Sequence, residues 1–167
     1  MYIIRLAAKA PRLHGRLTSN VRPRKPILPP IVSSASAVEY KLSEPVSDLE
    51  LNELFCASWP KHRVIEFQTV LRLSMAYVCA FQDGKLIGYV NAAWDGKTHA
   101  FILDTTVHPG HRRRGIGKEL VVRAIEQARM RGVAWVHVDY EPHLKGFYAR
   151  CGFRPSEAGV FSVASEA

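Results

Sequence analysis

The sequence predicts a mixed α/β domain in which helices cover a largely antiparallel sheet. Three observations lead to this prediction: apolar stretches of strand length, Asp-Gly turns between them, and apolar residues at helical spacing before and after them. With 167 residues, of which 47% are apolar, the chain is long enough for one ordinary core and short for two. We therefore expect one folded domain.

The first elements are a strand and two helices. Alternating residues predict a strand over 38–43. Ser47 is a suitable N-cap for the helix that follows. Apolar residues then recur at helical spacing at Leu49, Leu51, Leu54 and Phe55. A second helical stretch is expected over 64–73.

Three strands follow as an antiparallel meander. Apolar stretches cover 74–81, 85–94 and 99–107, and Asp-Gly pairs at 83–84 and 95–96 separate them. Asp-Gly between apolar runs is the strongest short signal for a hairpin, because both residues tolerate the backbone that a tight turn needs.

The last part of the chain alternates between helix and strand. Apolar spacing from Leu120 onward predicts a helix that ends at Gly132. We expect a buried strand over 134–140, a short helix over 143–152 and a final strand over 153–163. The full order is strand, two helices, three strands, helix, strand, helix, strand, which favours a mixed sheet covered by helices.

Basic charge is concentrated in the first 38 residues. The chain carries a formal charge of +8, yet residues 1–38 contain no Asp or Glu and account for +7 of it. The remaining body has 16 basic and 15 acidic side chains, so we expect no nucleic-acid partner. Its 3 cysteines form no CxxC pair, which argues against a disulfide framework and a cysteine zinc site. No apolar run approaches the roughly 20 residues of a transmembrane segment.

Residues 1–37 are expected to form a basic extension in front of one folded domain at 38–167. The region is rich in Pro, Arg and Ser, and residues 3–17 place basic and apolar side chains on opposite sides of a helical wheel that Pro11 and Gly15 interrupt. This pattern is compatible with a disordered tail, an organellar transit segment, a segment outside the mature protein, or an arm for an anionic surface. We expect the protein to be cytoplasmic, with organellar targeting as the alternative.

The segment HPGHRRRGIGKEL, residues 108–120, joins the third meander strand to a helix. Gly115 and Gly117 let the backbone approach a ligand closely, and the first N–H groups of a helix are unpaired. Convergent N–H groups at the positive end of a helix form an anion site. The spacing matches neither a dinucleotide fingerprint nor a Walker A loop. Alone, the segment is equally compatible with a pyrophosphate site and with a solvated basic turn.

A second motif, FYARCGF at 147–153, follows later in the chain, and the two motifs together resemble the GNAT superfamily of acetyl-coenzyme A-dependent N-acetyltransferases. Members have a strand ending in a Val-x-Pro-like turn, then Arg/Gln-x-x-Gly-x-Gly/Ala, and later Tyr-x-x-x-Gly-Phe. The matching residues here are Val107, Pro109, Arg112, Gly115, Gly117, Tyr148, Gly152 and Phe153. The resemblance covers 38–163 and implies a mixed, mostly antiparallel sheet with helices on both faces.

The resemblance implies transfer of an acetyl group from acetyl-CoA, as co-substrate, to a primary amine by direct attack in a ternary complex, without a metal. The CoA pyrophosphate would contact Arg112, Arg113, Arg114, Gly115, Ile116, Gly117 and Lys118. The pantetheine arm would pair with the strand at Leu103, Thr105, Thr106 and Val107. A backbone N–H near Thr106 or Val107 would polarise the thioester carbonyl.

Tyr148 corresponds to the usual general acid of the family, which protonates the departing CoA thiolate, and it would also contact CoA. The alternative is a tyrosine that only packs beside Phe147. Because Tyr148 is present, an enzyme is favoured over a catalytically silent sensor domain of the same fold that binds acyl-CoA.

The sequence offers several candidates for the general base. Glu141 stands where many relatives have an Asn that touches CoA, and three roles are equally compatible with it: a base, an anion that binds the amine, and a cap of the following helix. Asp104 is a second candidate for base chemistry. Three further candidates lie close to Glu141 in the sequence: His137, Asp139 and His143.

For the acceptor side, the sequence predicts two lining residues and a broad class of acceptor. Trp59 and Trp94 are expected to line it, and the acceptor is expected to be a small-molecule or peptide amine. His108 and His111 lie three apart near the loop, but no third metal ligand accompanies them, and the family needs no metal. A homodimer is compatible with the sequence.

Overall fold

Five strands form one sheet in the order in which they occur along the chain. The computed structural model describes residues 36–163, and its strands are β1 (Glu39–Leu42), β2 (Ala76–Gln82), β3 (Lys85–Trp94), β4 (His99–Val107) and β5 (Trp135–Val138). Strands β1 to β4 pair in antiparallel fashion, whereas β4 and β5 are parallel. The predicted mixed, mostly antiparallel sheet and its central meander are therefore confirmed.

Four α-helices flank this sheet in the described residues: α1 (Asp48–Ser58), α2 (Gln68–Leu73), α3 (Ile116–Met130) and α4 (Lys145–Arg150). Two short 3-10 turns, Pro109–His111 and Pro142–Leu144, precede α3 and α4. Helix α1 begins with the predicted Ser47 cap. The Ser47 hydroxyl accepts from the Glu50 N–H at 3.2 Å, and the Glu50 carboxylate accepts from the Ser47 N–H at 2.9 Å.

Helix α2 is shorter than the predicted helix over 64–73. The Ile65 N–H donates to the Asn52 side chain at 3.0 Å, and the Phe67 N–H donates to the Asp48 carboxylate at 3.1 Å. These side chains of α1 hold residues 65–67 in an irregular path, so the helix begins only at Gln68.

Helices cover both faces of the sheet, as predicted. On one face the α3 residues Leu120 and Val121 pack on Val90 of β3 and Ile102 of β4. On the other face α1 and α2 enclose a second cluster, which contains Leu51, Leu54, Phe55, Phe67, Tyr77 and Tyr89. We call these the α3 face and the α1 face.

The last two predicted strands differ from the structure. Residues 153–163 form no strand, and Val160, Phe161 and Val163 are 81%, 88% and 91% exposed. Pro155 and Gly159 interrupt the apolar pattern in this segment. The strand predicted over 134–140 is present as β5, but it is an edge strand within the described residues and its Trp135 is 61% exposed, so the predicted burial is wrong.

The predictions about the basic extension concern residues 1–35, which lie outside the described residues. Among residues 36–163, no helix has both the length and the apolar composition that crossing a bilayer requires.

Candidate active site

Strands β4 and β5 pair over their first residues and then diverge. Parallel pairs join His99–Ile102 to Trp135–Val138, and β4 continues to Val107 with no described strand on that edge. Leu103 pairs with Asn91 and Thr106 pairs with Tyr89, so β4 carries one additional residue between these pairs. Asp104 lies in this bulge with a left-handed φ of 55°. The divergence leaves a cleft along which the outward N–H groups of β4 are free of a strand partner.

The loop before α3 has the backbone expected of an anion site. Arg113 and Gly115 are left-handed, with φ of 64° and 82°. Gly115 is the N-cap of α3 and no side chain caps the helix, so its first N–H groups are not engaged by a capping side chain. The Ile116 side chain is buried in the core. The helix end is thus anchored beside the mouth of the cleft.

The basic side chains of this loop divide into two groups. Arg112 donates to the carbonyl oxygens of Val107 at 3.1 Å and Ser58 at 3.4 Å, and Arg114 donates to Gln82 Oε1 at 2.9 Å. These two arginines brace the loop against the protein. Arg113 and Lys118 are exposed, which leaves them available to a ligand.

Tyr148 lies beside the β4 residues that border the cleft. Its ring is 6% exposed and stacks on Tyr140 at 5.0 Å, with Phe153 edge-on at 5.8 Å. Burial raises the pKa of the phenol, while the nearby Thr105 hydroxyl lowers it. That hydroxyl makes no hydrogen bond of standard geometry among the described residues. The ring therefore packs as a core side chain and also lies next to the strand expected to take the thioester.

Asp104 faces a small cavity on the α1 face. The cavity has a volume of about 250 Å³ and is lined by Phe55, Trp59, His62, Ile65, Phe67 and Asp104. We call it the aromatic cavity. Asp104 is an exposed residue by surface area, and the atoms packed around its carboxyl group desolvate it enough to raise its pKa from the usual value for Asp. No Lys or Arg lines the cavity to counter this effect.

Thr106 connects the cavity wall to the bulge. Trp59 Nε1 donates to Thr106 Oγ1 at 2.9 Å, and the same hydroxyl donates to the Asp104 carbonyl oxygen at 2.9 Å. Thr106 is also buried, and its hydroxyl is engaged by these two hydrogen bonds. Leu103 is 42% exposed on the same face of the sheet.

Of the two tryptophans predicted for the acceptor side, Trp59 lines the aromatic cavity and Trp94 does not. Trp94 pairs with Ala100, which belongs to the core of the α3 face. Cross-strand partners share a face, so Trp94 lies on the other side of the sheet from Trp59.

Glu141 lies after β5, at the first residue before the turn Pro142–Leu144. Its carboxylate is 3.3 Å from His143 Nδ1, and both side chains are mostly exposed. The carboxylate caps no backbone N–H of the turn, so the predicted capping role is wrong. Of the other candidates, Asp139 is exposed, and His137 is engaged with His99 at 2.9 Å and stacked on Phe101.

The two loop histidines have protein partners. His108 Nδ1 accepts from the Gly110 N–H at 3.2 Å, and His111 Nδ1 lies 3.0 Å from Arg114 Nη1. In the part of the chain that the structure describes, no group of three or more His, Cys, Asp or Glu side chains is placed to share a metal ion.

Most of the aromatic cavity was missed by sequence reasoning. Phe55 belongs to α1, while His62, Ile65 and Phe67 belong to the segment after it, and none of them neighbours Asp104 in sequence. One signal was available: Asn52 is a polar residue among the apolar positions of α1. It is 6% exposed, contacts His62 Nε2 at 2.9 Å and accepts from the Ile65 N–H, and thereby fixes this segment.

Comparisons with known proteins agree with this architecture. The sequence model of the Acetyltransferase (GNAT) family matches residues 46–153. The uncharacterized N-acetyltransferase ycf52 of Pyropia yezoensis is 29% identical over 117 residues, which cover 66% of this chain and 67% of that protein. The chloroplastic serotonin N-acetyltransferase 2 of Oryza sativa subsp. japonica is 28% identical over 110 residues, which cover 62% of this chain and 54% of the rice protein.

Solved structures share the fold. A GNAT-family acetyltransferase from Streptococcus pneumoniae TIGR4 superposes with a TM-score of 0.67 at 22% identity, covering 78% of this chain and all of that one (100%). The aminoglycoside N-acetyltransferase AAC(6')-Iy, solved in complex with CoA, superposes with a TM-score of 0.64 at 19% identity over 81% of this chain and 99% of that one. Because the family match spans residues 46–153, the chain belongs to the GNAT family of acetyltransferases and is an acyltransferase of that type.

Proposed function

We propose that this acyltransferase moves an acetyl group from acetyl-CoA to the primary amine of a small molecule, by direct attack within a ternary complex. One observation carries the proposal. The cleft opened by the divergence of β4 and β5 has the uncapped N-terminus of α3 at its mouth, Tyr148 on the α3 face and Asp104 on the α1 face.

CoA would be held mainly by backbone groups. The N–H groups of residues 115–118, with the exposed side chains of Arg113 and Lys118, suit the pyrophosphate. The free edge of β4 from Leu103 to Val107 suits the amide groups of pantetheine, and an N–H near Thr106 or Val107 would polarise the thioester carbonyl. A relative of the same fold has been solved with CoA, which supports this assignment.

The reaction requires proton transfers at two atoms. The amine arrives as an ammonium ion and loses one proton before its nitrogen attacks the thioester carbonyl carbon. The C–N bond forms, the nitrogen releases a second proton, and the C–S bond breaks. The thiolate takes one proton from the Tyr148 phenol, the phenolate regains one of the two protons that the amine has lost, and the other is released, one for each amide formed.

We assign base chemistry to Asp104 in preference to Glu141. The raised pKa of Asp104 makes its carboxylate a better proton acceptor, and the side chain lines a cavity large enough for an amine. The Glu141 carboxylate lies beside His143 and does not belong to the lining of the aromatic cavity.

Acetyl transfer with free thiol as the readout tests this function. The wild type should bind CoA in calorimetry and release thiol in the presence of an amine. Tyr148→Phe should keep CoA binding and lose about 10²- to 10⁴-fold in kcat. Absence of CoA binding by the wild type would refute the proposal, and binding without turnover on any amine would indicate an acyl-CoA sensor.

We keep the cytoplasm as the proposed location. The name of the rice relative places that protein in the chloroplast, which supports organellar targeting as the alternative. Imaging of a fluorescent fusion with and without residues 1–37 decides between the two, because only an organellar protein should lose its location with that segment.

A further inference from the structure

We infer that the acceptor is a monoamine whose amino group is carried on a short arm attached to an aromatic or similarly flat apolar body. The inference rests on the proposed function and specifies the substrate class of the same site. It follows from the walls, the charge and the surroundings of the aromatic cavity.

The walls of the cavity are rings held in fixed positions. The Phe55 ring lies 6.5 Å from Trp59 with an interplanar angle of 16°, 5.3 Å from His62 and 5.0 Å from Phe67. Phe55 and Phe67 are buried, whereas Trp59 is 49% exposed at the rim. Flat apolar groups gain most from such walls, because aromatic rings stack on or pack edge-to-face with each other.

The polar groups of the cavity are nearly all engaged by the protein. Trp59 Nε1 donates to Thr106, and His62 Nε2 is paired with Asn52. Asp104 supplies the single carboxylate of the lining, which contains no basic side chain. The cavity therefore offers one anionic partner for one ammonium group.

This inventory disfavours two other kinds of amine. A polyamine or aminoglycoside carries further ammonium groups, and the lining of the cavity has only one carboxylate to pair with them, so these groups gain nothing from the site. An amino sugar or a peptide N-terminus would bring hydroxyl or amide groups that need hydrogen-bond partners, which the engaged side chains do not provide.

The surface next to the cavity is apolar as well. Leu103 and Phe101 of β4 are 42% and 45% exposed. Their partners on β3 are Asn91 and Ala93, which lie two and four residues after Tyr89 and so share its face of the sheet. Tyr89 packs against Phe55, with the ring centroids 6.0 Å apart. These side chains therefore continue the α1 face beyond the cavity, and the apolar body of a larger acceptor rests on them. The cavity itself, at about 250 Å³, suits the body of a small amine.

A panel of acceptors tests the inference on the full chain. The kcat/KM for 2-phenylethylamine, measured by thiol release, should exceed the values for spermidine, glucosamine and a tripeptide with a free N-terminus by roughly ten- to hundredfold, because one buried ring is worth about that ratio. A value for any of the three at or above that of 2-phenylethylamine overturns the inference and leaves the proposed function standing. Failure of CoA binding, or of transfer to every amine, overturns both.

Variants of two exposed tryptophans supply a second test. Trp59→Ala should lower the kcat/KM ratio of 2-phenylethylamine to ethylamine by about tenfold, and Trp59→Phe should restore most of this ratio because the ring is kept. Trp94→Ala is the matched control, since Trp94 is 37% exposed on the opposite face. Equal ratios in Trp59→Ala and Trp94→Ala would contradict the inference.

Discussion

Replacing Gly117 with Val should weaken CoA binding more than replacing Arg113 with Ala. Gly117 is the second residue of α3, within the turn whose N–H groups face the proposed pyrophosphate. A Cβ at this position would lie 3.4 Å from the Phe147 ring and 3.5 Å from Val107 Cγ2, which is ordinary contact. Ala therefore fits, whereas the two additional methyl groups of Val reach beyond this Cβ toward Phe147 and Val107.

The size of the effect follows from the two kinds of contact. Forcing the additional methyl groups of Val into this contact costs about 1–3 kcal/mol. Where the turn moves to relieve this cost, the same free energy is lost from CoA binding, which weakens by roughly 5- to 150-fold. Arg113 is exposed and contributes at most a solvent-screened charge. Its removal should weaken binding by less than about fivefold.

Isothermal titration with CoA measures both variants. Gly117→Ala is the matched control and should bind like the wild type, and thermal melts establish that each variant is folded at the titration temperature. If Arg113→Ala weakens binding more than Gly117→Val, side-chain charge holds the anion and the backbone site is refuted.

Three further predictions concern the catalytic groups and the fold. Asp104→Asn should raise Tm at neutral pH, because burial raises the pKa of this carboxyl group. The folded wild type is therefore stabilised when Asp104 is protonated, and it loses this stability as the pH rises through the raised pKa. The Tm difference should shrink in acid, and a constant difference would exclude this cause. In the thiol assay, Asp104→Asn should lose at least about tenfold more kcat/KM than Glu141→Gln, and the reverse order would move the base to Glu141. Ser47→Ala should cost about 0.5–2 kcal/mol in denaturant unfolding, because it removes the hydroxyl that accepts from the Glu50 N–H, and an unchanged free energy of unfolding would show that the cap is dispensable.

Elements with local causes were predictable from the sequence. The turn at Asp83 and Gly84 has φ of 52° and 72°, as an Asp-Gly hairpin requires, and the Ser47 cap depends on residues three positions apart. The start of α2 was not predictable, because its cause is a pair of side chains on α1 that capture the N–H groups of Ile65 and Phe67. Spacing alone does not contain such contacts.

In the candidate site, too, some parts were predictable from the sequence and others were not. The glycine loop and Tyr148 were found because each belongs to a motif of consecutive residues. Asp104 was named as a candidate base, but its left-handed backbone and the aromatic cavity beside it were not predicted, since the bulge depends on pairing between β3 and β4 and the cavity joins α1 to that bulge across the sheet. Trp94 was predicted to lie on the acceptor side, but the strand register places it on the α3 face, opposite the aromatic cavity.

Acetyl transfer itself is the claim on which the others depend. Mass spectrometry of a reaction with isotopically labelled acetyl-CoA and 2-phenylethylamine follows the acetyl group directly. The structure predicts one labelled amide for each molecule of free CoA, in the wild type and not in Tyr148→Phe over the same time. Release of CoA without labelled amide, or no release at all in the presence of any amine, would contradict the proposed function.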